Sequence, residues 1–285
     1  MRVSSSLTQL IAGYDSPEGP AIDREGNLFF VNWLSSSIVK LSPDGDAGEF
    51  FNTGGIPAGL AFHRDGSLYV ADEGDDIHGV IRITPDGQVS TVVDQYDGRP
   101  LNGANDLVFD AAGILYFSDP WRSSVERPTG GFYRCFPDRR LERLDHGLAF
   151  PNGVAVNAEG TAVFLAETGH NRILRYRLHA DGSVGSREVF AELTGGPGPD
   201  GMAFDEAGDL YVAHHGEGRV DVIDPAGRVV EEIPVPGSQP TNVAFIGPDR
   251  KTLVVTEVET GSLYPANVAV AGQRLFSDLV GPGTD

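Results

Sequence analysis

Four residues far apart in the chain have the right types for one job. Glu18, Asn105, Asn152 and Asp200 bring two carboxylates and two side-chain amides. That is a hard-oxygen donor set whose two negative charges match one divalent cation. The four occupy the same place in similar segments: SPEGPAIDREGNLFFVN (16–32), GANDLVFDAAGILYFSD (103–119), FPNGVAVNAEGTAVFLAE (150–167) and GPDGMAFDEAGDLYVAH (198–214). Two further segments align with them, IPAGLAFHRDGSLYVAD (56–72) and QPTNVAFIGPDRKTLVVTE (239–257), with Ala58 and Thr241 at the shared place. Thr241 is a candidate fifth oxygen, and Ala58 offers none. Asn and Asp ahead of a strand also act as turn formers, but turn formers have no need to recur in one register. The recurrence argues for ligation, with Ca2+ the first expectation and Zn2+, Mn2+, Mg2+ or Fe2+ the alternatives.

Such residues work together only if the fold brings them together. The six shared places are separated by 40, 47, 47, 48 and 41 residues. Each unit begins with an apolar run, a D-G or E-G type turn and a second apolar run, which is the pattern of a β-hairpin. A third run follows, as in VIRITPDG (80–87) or RVDVIDPAG (219–227), and usually a fourth, as in VSTVVDQ (89–95). Four antiparallel strands per unit and six units predict an all-β, six-bladed β-propeller, one domain spanning residues 1–285. The sixth unit runs short of a fourth strand, so the N-terminal stretch SSSLTQLIAG (4–13) is expected to complete it. Composition agrees: 37 Gly and 19 Pro in 285 residues disfavour a helical protein. The net charge of −20 argues against nucleic-acid and membrane partners. The single cysteine, Cys135, reads as a small buried apolar residue. With no disulfide to form and no leader-like apolar run, the expected location is cytoplasmic.

In a four-stranded meander the first strand lies nearest the axis, so the shared places converge at one end of the central channel. The connections from second to third strands lie on the same end and form a rim. They begin at Asn32, Asp72, Asp119, Glu167, His214 and Glu257. The longest connection carries Trp121 and Arg122, an aromatic and a cation suited to a substrate wall. Alternation sends His214 and His215 to opposite faces, so at most one of them faces the rim. The G-x-G-x-x-G match at 196–201 precedes a strand and contains two prolines, which does not suit a dinucleotide site. No G-x-S-x-G elbow, H-E-x-x-H helix or EF-hand loop occurs.

These residues resemble the SMP-30/gluconolactonase/luciferin-regenerating-enzyme-like family of six-bladed propellers, which is also similar to diisopropyl fluorophosphatase and the paraoxonases. The resemblance rests on SPEGPAID (16–23), RPLNGANDLVFDAAGILYFSDP (99–120), FPNGVAV (150–156) and GPDGMAFDEAGDLYVA (198–213). It implies one catalytic divalent metal, often calcium, on Glu18, Asn105, Asn152 and Asp200, with Asp200 as the base that activates water. Some members place an Arg and an Asn on the substrate from an R-x-N-D stretch. Here Gly103 stands where that Arg falls, and Arg99 and Asn102 lie just upstream.

The expected function is therefore a metal-dependent lactonase acting on a small-molecule lactone. Asp200 is its catalytic residue, and Arg99, Asn102, Trp121 and His214 are candidates for substrate contact. The alternatives are a phosphotriesterase of the diisopropyl fluorophosphatase type and a non-enzymatic binding propeller with a structural metal. A monomer or a weak homo-oligomer is expected.

Overall fold

A computed structural model describes residues 7–279. Its strands form six four-stranded antiparallel sheets arranged as a six-bladed β-propeller. The first strands are Pro17–Ile22, Pro57–Phe62, Leu107–Phe109, Pro151–Val156, Gly198–Phe204 and Pro240–Ile246. Each touches the first strands of both neighbouring blades, the last against the first, so the ring closes. Ile11–Ala12 supplies the missing outer strand of blade six by pairing with Leu263 and Ser262. The earlier part of the expected closing stretch, residues 4–6, lies outside the described residues. No helix among the described residues is long and apolar enough to cross a membrane.

Blades pack through a repeated aromatic contact. A Phe late in the first strand of one blade meets an aromatic in the second strand of the blade before it. The pairs are Phe29 with Phe62, Tyr69 with Phe109, Phe164 with Phe204 and Tyr211 with Phe245, at centroid distances of 5.0, 4.9, 5.0 and 5.2 Å and near-perpendicular tilts. Edge-to-face pairs of this kind add about 0.5–1.5 kcal/mol each beyond area burial. Four of the six blade interfaces are therefore locked by the same device. Cys135 is buried and unpaired in the core, and burial raises its thiol pKa.

The starts of the first strands carry the features that matter for function. In blades one, two, four, five and six, one extra residue is inserted at this point, a β-bulge that re-aims the side chains beside it. Glycine follows the bulge position where neighbouring blades crowd. A Cβ on Gly153 would run into the Asp200 carbonyl oxygen, and one on Gly59 would stand 2.6 Å from that of Asn105. Inner strands can thus approach closely, which narrows the mouth around the anchor side chains.

At the opposite end, the segment Ala271–Leu279 crosses beneath the ring. Arg24 donates to the Ser277 and Leu279 carbonyls, at 2.8 and 3.1 Å. Phe276 packs on His63 and Phe109. Gln273 bonds to Val156 and Phe204, and Gly272 to Arg250. These contacts reach all six blades. Between this strap and the mouth lies a cavity of about 1230 Å³.

Candidate metal centre and active site

Glu18, Asn152 and Asp200 are buried and Asn105 is half-buried, each at the start of a different blade's first strand. The Asn152 amide hydrogen-bonds Asp200, a pull that opposes the larger upward push of burial on its pKa without cancelling it. The Oδ1 atoms of Asn152 and Asp200 are both buried without a hydrogen-bond partner. Orphaned acceptor oxygens in a dry site are costly unless something positive meets them.

Two more carboxylates crowd the mouth. Asp106, beside Asn105, accepts the Val154 N–H at 2.7 Å, and Glu73 accepts Asn105 Nδ2 at 2.8 Å. Burial pushes all four carboxyls upward. Glu18 is raised well above the usual range by burial, then by the charges of Asp200 and Asp106. Asp200 is raised by burial, then by Asp106 and Glu73. Asp106 is pushed up to about 7 by burial, against the pull of the Val154 and Leu107 N–H groups. Glu73 reaches about 8, again through burial, with Asp72 and Asp119 adding to it. Like charges gathered in a low-dielectric mouth repel, and a cation among them would reverse the sign of the local field.

The donor set fits a hard cation. Carboxylate and amide oxygens are the ligands that calcium-like ions take, and no sulfur is present. No three His, Cys, Asp or Glu side chains among the described residues are grouped closely enough to hold an ion by themselves. Any ion here depends on the asparagine amides as well.

Several expectations change on contact with the geometry. Thr241 is not an open oxygen: its hydroxyl donates to the Pro17 carbonyl and pairs with Thr256. The next residue, Asn242, reaches the site, with Nδ2 3.1 Å from Glu18 Oε2. The bulge turns Asn242 toward the axis, which a simple register does not anticipate. The six polar residues that open the rim are brackets. Asn32, Asp72, Asp119, Glu167 and Glu257 accept backbone N–H groups of Ser16, Ile56, Gly103, Ala149 and Gln239, just ahead of their own blade's first strand.

His214 is the bracket of blade five, so its expected substrate contact is corrected. It is 0% exposed, with Nδ1 2.6 Å from Asp221 and Nε2 3.0 Å from the Gly195 carbonyl. Alternation gives the mouth to His215 instead, whose Nδ1 lies 4.0 Å from Asp200 Oδ2. Burial lowers the His215 pKa.

Asn102 is also spent on structure: its Nδ2 donates to Asp119 and to the Thr129 carbonyl. Arg99 is exposed on a two-stranded ribbon, Gln95–Tyr96 with Arg99–Pro100, outside the six blades. Trp121 packs against the chain at Gly103, beside Glu73. A Cβ on Gly103 would meet its Cβ at 2.8 Å and Glu73 Cα at 2.9 Å, so Trp121 and Glu73 fill the space that a side chain at 103 would need. Its Nε1 is buried without a partner. Arg122 reaches across to Asp75 at 2.8 Å, joining the rims of blades three and two.

Comparison with known proteins agrees with this architecture. The model of the SMP-30/Gluconolactonase/LRE-like region matches residues 16–259. A lactonase, drp35, from Staphylococcus aureus is 30% identical over 280 residues, covering 91% of this chain and 85% of the relative. A gluconolactonase from Xanthomonas campestris superposes with a TM-score of 0.82 at 24% identity, covering 94% of each chain. A calcium-binding protein, regucalcin, from Agrobacterium tumefaciens superposes at 0.83 and 24% identity, covering 98% of each. With the family model spanning most of the chain and a curated relative matching along nearly all of it, the chain belongs to the SMP-30/gluconolactonase/LRE-like family.

Proposed function

We propose that the protein is a divalent-metal-dependent lactonase, with calcium the first choice of ion. The observation that carries this reading is the cluster of buried oxygens from separate blades, above all the orphaned Oδ1 atoms of Asn152 and Asp200. Glu18, Asn105, Asn152 and Asp200 would hold the ion, with Asn242 fixing the Glu18 carboxylate. The lactonase relative supports the reaction class, and the calcium-binding neighbour supports the ion. When bound, such a cation supplies a Lewis acid for a carbonyl oxygen and raises the acidity of adjacent water.

Asp200 takes a proton from the attacking water while the new C–O bond forms at the lactone carbonyl carbon. The ring C–O bond then breaks, and the proton held by Asp200 passes to the released alkoxide oxygen, giving a hydroxy acid. Asp200 must be ionised to accept that proton, the form that a cation held beside it would favour against the upward push of burial and the neighbouring carboxylates. Trp121 stands beside Glu73 on the blade-three side and the strap crosses the far end, which leaves the rim as the proposed route for substrate.

The test is a panel of sugar lactones, aliphatic lactones and an organophosphate, assayed with calcium-loaded and chelated protein. Chelator-sensitive hydrolysis of a lactone is expected. Equal rates with and without metal, or turnover of the organophosphate alone, would overturn the reading.

A further inference from the structure

Blade two is the one blade without a side-chain oxygen at the shared place, because Ala58 stands there. The same blade reaches the site by another route. Its second strand ends at the bracket Asp72, which accepts the N–H groups of Ile56 and Gly74 at 2.9 and 2.8 Å. Between those two bonds, Glu73 is pinned: its own N–H donates to the Ile56 carbonyl at 2.9 Å. Gly103 packs against its Cα from the blade-three side. The Glu73 side chain is buried and crosses to blade three, where its Oε1 lies 2.8 Å from Asn105 Nδ2.

An asparagine amide can present either its oxygen or its nitrogen, and only the oxygen can ligate a cation. Glu73 Oε1, facing the amide, accepts whether the carboxyl is ionised or carries its proton on Oε2, so it holds the NH2 group and turns the amide oxygen the other way. We propose that Glu73 is a positioning residue that fixes the Asn105 amide with Oδ1 presented to the ion. This rests on the preceding reading of Asn105 as a ligand. Blade two thereby contributes to the centre through a neighbour's side chain, where its own anchor is silent.

Four proteins test this: the parent, Glu73→Met, Glu73→Gln and the double variant Glu73→Met with Asn105→Asp. Each is titrated with calcium alone, and then with manganese alone, by calorimetry, after thermal unfolding in chelator has checked its fold. Glu73→Met keeps the bulk but accepts no hydrogen bond, and affinity should fall about 10- to 100-fold, the range usual for partners that orient metal ligands. Glu73→Gln can still accept from Nδ2 and should retain most of the affinity. A carboxylate at 105 has no wrong way round, so Asn105→Asp should restore binding to Glu73→Met. A purely structural role for Glu73 would not produce that rescue.

Parent-like affinity in Glu73→Met would overturn the proposal while leaving the ion site standing. Equal losses in Glu73→Gln and Glu73→Met would overturn it too and would assign the effect to charge, while no rescue by Asn105→Asp, which restores the charge lost at 73, would overturn it and assign the effect to packing. If the parent binds neither ion, the metal-centre reading falls and the proposal falls with it.

Discussion

Asp106 offers a test whose size follows from its surroundings. It is buried, takes the Val154 N–H, and its pKa is pushed from 3.8 to about 7. In chelated protein the folded state therefore holds this proton more tightly than the unfolded chain. The stability that comes from the protonated carboxyl is complete below about pH 3.8 and is lost as pH rises through about 7. A rise of about 3 units corresponds to roughly 4 kcal/mol lost in total, at 1.36 kcal/mol per unit. Asp106→Asn keeps an oxygen for Val154 but carries no proton, so it removes this slope. Between pH 5 and pH 8 the advantage of the variant over the parent should grow by about 3 kcal/mol, two units' worth of the same linkage. Urea unfolding in chelator at both pH values measures it. Saturating calcium should flatten the parent's slope, because a cation held beside Asp106 favours its ionised form. A stability difference between variant and parent that is the same at pH 5 and pH 8 would refute the argument that burial, uncompensated, governs this carboxyl.

Other outcomes follow from the same geometry. Asp200→Asn should lower lactone turnover by about 10² or more at saturating calcium, the scale of general-base removal, and near-parental kcat would shift the base to another group. His214→Ala takes away one of the two partners of buried Asp221, the other being Arg219, and should cost about 1–3 kcal/mol of stability with little change in KM, while His215→Ala should alter kinetics at nearly parental stability. The reverse pattern would return substrate contact to His214. Phe276→Ala removes the ring that packs on His63 and Phe109 beneath the channel. A loss of about 1–3 kcal/mol is expected, below the 3–5 usual for a core Phe because the strap can peel away locally. An unchanged Tm would mean that the strap does not help close the ring.

The fold, and the places of the candidate ligands within it, could be read from the chain because both follow the repeat. Glu18, Asn105, Asn152 and Asp200 stand out as exceptions within one register, and the structure places them at the starts of four separate first strands. What escaped was geometry that the register does not encode. A single inserted residue turns Asn242, rather than Thr241, toward Glu18. Asn102 has the side chain of a substrate contact, but its amide is consumed by Asp119 and Thr129. The aromatic pairs between blades also went unread, although Phe62, Phe109, Phe204 and Phe245 fall at one register position.

His214 shows how symmetry could have separated scaffold from chemistry. The residues that end the second strands, Asn32, Asp72, Asp119, Glu167, His214 and Glu257, are polar in every unit. A lone substrate cannot need the same contact from all six blades, whereas six blades each need a partner for the backbone ahead of the inner strand. Ring-wide recurrence therefore marks a bracket, and His214 meets that description from the donor side, its Nε2–H on the Gly195 carbonyl where the other five accept an N–H. The next residues along are Trp33, Glu73, Pro120, Thr168, His215 and Val258, which share no chemistry. Each follows a bracket that fixes its backbone at the mouth, and each is free to differ. Glu73 and His215, the two ionisable members of that set, are the ones that reach the proposed ion ligands Asn105 and Asp200. In this propeller the bracket position, polar in every blade, builds the ring, while the anchor position and the residue after each bracket, which differ from blade to blade, carry the proposed functional groups.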